Sequence, residues 1–361
     1  MIERLHLHEI ELEFTEPLVT PDGTYASRRS VLVGLEVDGE IGWGEAPAFP
    51  SRRWGTAEAA WEALESSVMR EGTAPLPPIA NAALQAARAD LEARLARLPL
   101  HATLGGSDRP IRARRTFGLV DDPSVLVERV AAVVAAGISA VKIKIRPGWD
   151  IDQITQVRSA FRSLDISVDA NATYRDPYDP AFDALAGADV SLVEQPFAAE
   201  DLDSHVALRK REIVTVGLDE AIRSTADARR ILEAGAADLV SLKANRLGLE
   251  AATTILALAA AEGVAVKVGG TFDTSIGRRF LLAFATLDGV TDAEIAPPSG
   301  YLVSDVADYP DLVGGTITPD DRPGIGIDPD HDRLADLEIR RTTIGGRGSA
   351  ARWTPIARSD T

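Results

Sequence analysis

From about residue 112 the chain repeats one pattern, a short apolar run followed by a stretch of helical length. Short runs rich in Val and Ile read as buried strands. They fall near residues 115–120, 140–145, 166–170, 190–195, 214–220, 238–244, 264–270 and 292–298. Small residues and a glycine close several of the helical stretches, at 135–137, 185–187, 233–235 and 261–263. Glycine just past the last turn is a common helix stop. Eight strands with helical stretches between them predict an α/β fold, a (β/α)8-type barrel or a close variant. An open doubly wound sheet is the alternative, and the near-constant period favours the barrel.

The first hundred residues differ. LHLHEIELEF alternates as a half-buried strand does, and TEPLVTPDGTYASRRS reads as a polar loop. SVLVGLEVDGEIGWGEA reads as two strands joined at Asp38-Gly39, a favoured hairpin turn. Residues 57–69 and 79–98, rich in Ala, Leu, Glu and Arg, predict helices. The expected domains are an α+β unit over 1–108, completed by about 318–340, and a barrel over 109–317. Residues 341–361, rich in Gly, Ser and Arg, are expected to form a mobile tail.

Within the second barrel run, VKIKIRPGWD (141–150), side chains alternate faces. Val141, Ile143 and Ile145 point one way, and Lys142 and Lys144 the other. Lysine is almost never fully buried without a partner. Either that face is wet, or the lysines enter a polar pocket with anionic company.

Composition narrows the field. At 361 residues the chain exceeds what one hydrophobic core usually organises, and 45% apolar residues supply a sizeable one. A net charge of −17 argues against nucleic acid and against an anionic membrane surface. It leaves room for a small carboxylate substrate in a locally positive pocket. The absence of cysteine removes disulfides, thiolate zinc sites and a cysteine nucleophile. MIERLHLHEIELEF has no long apolar run, and no stretch of 18 apolar residues occurs. No signal peptide or membrane span is expected, so the expectation is a cytoplasmic protein, with a homo-oligomer allowed.

The polar residues at the strand ends are in step. Lys144 is followed by Asp169, Glu194 and Asp219 at intervals of 25, and then by Lys243 after 24. Each interval is one strand–helix unit, and active sites of such barrels sit at the C-terminal strand ends. Three neighbouring carboxylates raise each other's pKa unless a cation joins them. An all-oxygen set selects a hard ion, Mg²⁺ or alternatively Mn²⁺. In an eight-stranded ring the second and sixth strands are opposite, so Lys144 and Lys243 face each other across the mouth. The arrangement suits removal of a proton α to a carboxylate, with the metal stabilising the enediolate. A lysine serves as base only if its pKa falls well below about 10.4, and a nearby cation such as Lys142 or the metal would lower it. Taken singly, Asp219 or Glu220 would more often be a helix cap.

KIKIRPGWD, VDANATY, VEQP, GLDEAIRS, GGTFDTSIGR and GWGEA at 42–46 resemble motifs of the enolase superfamily, in its muconate-lactonizing subgroup. Within the subgroup the likeness is to o-succinylbenzoate synthases and N-succinylamino acid racemases. The resemblance implies a modified TIM barrel, (β/α)7β, under an N-terminal α+β capping domain. It implies Mg²⁺ on Asp169, Glu194 and Asp219, a Lys144 base supported by Lys142, and a Lys243 that stabilises the enediolate by a cation–π contact. Asn171, Glu220, Gly270, Thr271 and Asp273 are expected beside the substrate or just behind it. The implied reaction is syn dehydration of a cyclohexadiene carboxylate to o-succinylbenzoate, a step of menaquinone synthesis.

The chain departs from the family pattern on the substrate side. Ala244-Asn245-Arg246 replaces Pro-Gly-Arg, and Gly248-Leu249 replaces a glycine pair. Gly269-Gly270-Thr271-Phe272-Asp273 replaces Gly-Gly-Met-Leu-Glu, and the eighth strand runs into IAPPSGY. Two opposed lysines equally permit two-base chemistry, so N-succinylamino acid racemisation or dipeptide epimerisation is the alternative, and cycloisomerisation a third. A dipeptide epimerase is expected to show an acidic pair near Pro297-Pro298, and none is there. A non-catalytic binding protein would have lost one of the five residues. Arg28, Arg29, Arg52 and Arg53, read as loop residues of the first unit, either meet a substrate carboxylate or are solvated.

Overall fold

The structure, a computed structural model, describes residues 2–49, 55–69 and 76–345. Eight parallel strands form one sheet in sequential order: Arg114–Phe117, Ala140–Lys144, Asp165–Asp169, Leu192–Glu194, Val216–Leu218, Leu239–Leu242, Ala265–Val268 and Val290–Ala293. Helices follow the first seven, and the eighth is followed directly by the short 3-10 turn Pro298–Gly300. This is the (β/α)7β barrel. Among the described residues no backbone ladder joins the first strand to the eighth. Arg114 bridges that seam: its guanidinium donates to Asp292 at 2.7 Å and to Asp165 at 2.8 Å.

Local chemistry starts and stops the helices where the rhythm requires. Asp122, Asp150, Asp179, Asp201, Ser224 and Thr274 each accept a backbone N–H of the helix they precede. Gly235 ends its helix in the left-handed conformation at φ 62°. The stop at 185–187 differs: Pro180–Gly187 runs through the glycine, and Asp189 takes the positive φ.

The alternation in VKIKI now has its cause. Val141, Ile143 and Ile145 are buried against Leu126, Val130, Ile154 and Val157 of the surrounding helices. Burying such a side chain stabilises by about 1.5–3 kcal/mol. Lys142 and Lys144 thereby face the barrel interior, so the polar-pocket reading holds.

The second unit is a four-stranded antiparallel sheet, in order Glu338–Gly345, Arg4–Thr20, Gly23–Val37, Glu40–Ala46. Two expectations are corrected here. Residues 15–30 are not a loop, because the first two strands continue through them as a long hairpin arm. The register shifts between Glu13 and Leu18, a bulge that accommodates Pro17. The expected tail begins too early, because residues 341–345 belong to the last strand, paired with Arg4–His8. Residues 346–361 lie outside the described residues. Asp38 and Gly39 form the expected turn, at φ 52° and 79°.

Helix Pro78–Leu95 packs on this sheet so closely that only glycine fits opposite it. A Cβ at Gly44 would stand 2.1 Å from the Ala83 carbonyl oxygen, and one at Gly42 2.3 Å from that of Ala87. Ile111–Arg112 pairs with Thr316–Ile317, which ties together the two ends of the barrel segment. Among the described residues no helix is long and apolar enough to cross a membrane.

Candidate active site

Strand register sets the acid–base row. Lys144 is the partner of Asp169, and Asp169 the partner of Glu194, on three consecutive strands. Asp219 and Glu220 follow the fifth strand, and Lys243 follows the sixth. Lys142, Lys144, Asp169, Asp219, Glu220 and Lys243 line one cavity at these strand ends. The lining also includes Leu18, Thr20 and Phe49 of the capping unit, Phe272 and Tyr301 of the barrel loops, and Arg278 of helix Ser275–Ala285. Glu194 lies deeper, 1% exposed and outside that lining.

Each acid is drawn to a lysine. Lys144 Nζ stands 3.1 Å from Asp169 Oδ2, and Lys243 Nζ stands 2.5 Å from Asp219 Oδ2. Lys142 Nζ is 2.6 Å from Glu294 and 3.4 Å from both Asp169 and Glu194. Burial alone would lower the Lys142 pKa, but the Glu194, Glu294 and Asp169 carboxylates hold it well above the usual lysine value. It is therefore a fixed cation. Burial would raise the Asp169 pKa, yet Lys144 and Lys142 hold it below the carboxylate range. Asp219 is held down in the same way by Lys243 and Arg246. Glu220 goes the other way: burial and the Asp219 and Asp169 charges push it up to about 7.

The strand-end loops take conformations that most residues avoid. Asn171 and Gln195 have φ 43° and 40°. Such backbone persists only where the surroundings hold it. Asn171 bridges Lys144 Nζ at 2.5 Å and Glu220 at 2.8 Å. Gln195 Oε1 accepts the backbone N–H groups of Asp219 and Ala221 at 3.0 and 3.1 Å, so VEQP fixes the turn that follows the fifth strand.

Of the residues expected beside the substrate or just behind it, Asn171, Glu220, Gly270 and Thr271 line the cavity. Asp273 does not. It is fully buried and accepts the Thr271 backbone N–H at 2.9 Å and an amide N–H of Asn245. Arg28 is a strand residue, fully buried and paired with Glu45, so neither reading of it as a loop arginine stands. Arg29, in the same strand, pairs with Glu58 at 2.9 Å. Arg52 and Arg53 lie outside the described residues.

Lys267 and Glu294 escaped the sequence reading. Lys267, on the seventh strand, has no exposed surface and contacts both Glu194 and Glu294. A lysine inside VAVKV was the available signal, since a buried lysine needs an acid.

As placed, no three acids among the described residues form a metal cage. The donor set nonetheless fits a hard cation. Asp169, Glu194 and Asp219 offer only oxygen at adjacent strand ends, and buried Asp219 Oδ1 has no hydrogen bond, only Arg246 at 3.8 Å.

A (β/α)7β barrel with lysines and carboxylates at its C-terminal strand ends, closed by an α+β cap, defines a class of enzymes. Residues 125–333 match the family described as Enolase C-terminal domain-like. The chain belongs to the enolase superfamily. It is 33% identical over 352 residues to an o-succinylbenzoate synthase of Geobacillus kaustophilus, covering 91% of this chain and 94% of that one. It is 29% identical to an N-succinylamino acid racemase of Thermus thermophilus, covering 85% and 89%. A dipeptide epimerase of Cytophaga hutchinsonii, solved with Mg and D-Ala-L-Val, superposes with a TM-score of 0.85 at 22% identity, covering 96% and 100%.

Proposed function

We propose that this enzyme removes the proton α to a carboxylate, and that its reaction is the Mg²⁺-dependent dehydration that yields o-succinylbenzoate. The observation that carries this reading is the placement of Lys144 and Lys243 on one cavity with Asp169 and Asp219. Asp169, Glu194 and Asp219 would hold the ion, with Mn²⁺ as a substitute. When bound, it supplies Lewis-acid stabilisation of the charge that develops as the α-proton leaves.

Lys144 is the base, oriented by Asn171. It takes the α-proton, and in a syn elimination returns it to the departing hydroxyl as water. Lys243, paired with Asp219, faces the developing enediolate as a cation. Arg278 lines the same cavity and answers the second carboxylate of a succinyl group. Its Nη1 is anchored on the Ala296 carbonyl at 2.6 Å.

The second reading is racemisation of N-succinylamino acids, favoured by a lysine on each side of the cavity. The deciding experiment follows the ultraviolet absorbance of the cyclohexadiene substrate with purified enzyme and Mg²⁺. Loss abolished by EDTA supports the synthase. No loss with folded, metal-loaded protein refutes it, and α-proton exchange in D₂O across N-succinylamino acids then tests the racemase.

A further inference from the structure

We propose that Glu45 of the capping unit is a positioning residue, a latch that holds the substrate-facing loop after the seventh barrel strand. Glu45 lies near the end of strand Glu40–Ala46 and is fully buried. One of its oxygens accepts from Ser30 Oγ at 2.7 Å and from the Arg28 guanidinium. The other accepts from the Thr274 backbone N–H at 3.0 Å, Thr274 Oγ1 at 2.6 Å and the Gly277 N–H at 3.2 Å. The Arg28 guanidinium and the Thr274 and Gly277 N–H groups can only donate, so they suit a carboxylate, against the burial that raises its pKa. Three of the five partners belong to the N-terminal turn of helix Ser275–Ala285, where the helix dipole favours an anion. Gly277 makes the approach feasible: a Cβ there would stand 2.6 Å from Glu45 Oε2.

Arg28 holds the other end of the same loop, donating to the Thr271 carbonyl at 3.0 Å. One ion pair from two capping strands thus pins residues 271–277 at both ends. Between those ends the chain is strained, with Phe272 at φ 57°. Gly270, Thr271 and Phe272 form cavity wall. Gly269 lies on the Lys243 stem, where a Cβ would come within 3.2 Å of Lys243 Cε. Moving the loop therefore moves the substrate wall and the support of Lys243 together. A buried ion pair is often no more stabilising than apolar residues of the same volume. Fixing the loop is what this one does that a hydrophobic contact would not.

The latch stands independently of the reaction, and its effect on turnover rests on the α-proton reading above. The test compares Glu45→Asp, which keeps the charge but shortens the reach, with Asp90→Asn. Asp90 clamps a different capping contact, accepting the Trp43 and Ile325 N–H groups at 2.7 and 2.6 Å, and touches no cavity residue. Amide hydrogen exchange is read by mass spectrometry well below the melting temperature. Glu45→Asp should speed exchange in 269–277 about tenfold and leave 323–328 unchanged, and Asp90→Asn should do the reverse. KM for the diene acid should rise about tenfold in Glu45→Asp alone. If Glu45→Asp does not fold, Thr274→Val, which removes the hydroxyl donation, is read in the same way. Native-like exchange in 269–277 overturns the latch. Faster exchange with unchanged KM overturns its positioning role. If native protein leaves the diene acid unchanged, the synthase reading fails and the exchange pattern still decides the latch.

Discussion

Asn171 Oδ1 accepts a hydrogen bond from Lys144 Nζ at 2.5 Å, while its amide donates to Glu220 at 2.8 Å. One side chain thus aims the proposed base and ties it to an acid that burial pushes up to about 7. Asn171→Leu keeps the bulk and removes both bonds. The rate of α-proton exchange should fall about 10- to 100-fold, with divalent-metal affinity by calorimetry within about twofold of native. A full rate in the variant would remove Asn171 from the machinery.

Lys144 and Asp219 separate proton transfer from ion binding. Lys144→Ala should abolish turnover, seen as constant absorbance of the diene acid, and still bind Mg²⁺. Asp219→Ala should weaken Mg²⁺ binding in a calorimetric titration by about tenfold or more. An unchanged titration would refute the ligand assignment.

Lys267, just beneath the strand-end acids, is expected to matter for stability. Its ammonium is enclosed by Glu194 and Glu294, whose charges keep its pKa raised against the effect of burial. Lys267→Met preserves volume and leaves two acids short of a partner. Removing one member of a buried ion pair costs about 3–5 kcal/mol. Urea denaturation of the metal-free protein measures it, and a loss below about 1 kcal/mol would contradict this role.

Asp90 gives a pH signature. Burial raises its pKa to about 6, against the pull of Arg94. A carboxyl whose folded pKa is raised stabilises fully below its unfolded value, near 3.9, and loses that contribution as pH climbs through about 6. Relative to Asp90→Asn, native protein should lose about 1 kcal/mol of stability between pH 5 and 7.5. Paired urea curves at the two pH values check the sign, and a gap that grows in favour of native protein would reverse it.

The barrel was legible because its rhythm is periodic. A strand and a helix recur about every 25 residues, and the five acid–base residues keep that step from Lys144 to Lys243. Residues 15–30 hid a hairpin arm because Pro17, Pro21 and Gly23 normally interrupt strands, and only the register shift shows how the sheet absorbs Pro17. The last strand hid because its side chains are half-exposed or exposed along its whole length, so Arg340, Arg341 and Thr342 carry no apolar alternation. Glu294 hid because the eighth strand ends at Ala293, earlier than the apolar run suggests. Arg28 and Glu45 lie far apart from residues 271–277 in sequence, and their partnership appears only once the capping sheet sits on the barrel.

The first strand, Arg4–Thr20, is flanked by Gly23–Val37 on one side and by Glu338–Gly345 on the other. A ribosome makes the first neighbour almost at once and the second only after the whole barrel. At about 5–20 residues per second, the nascent strand keeps one raw edge for something on the order of half a minute. Only Arg4–Ile10 of that strand waits for this late partner.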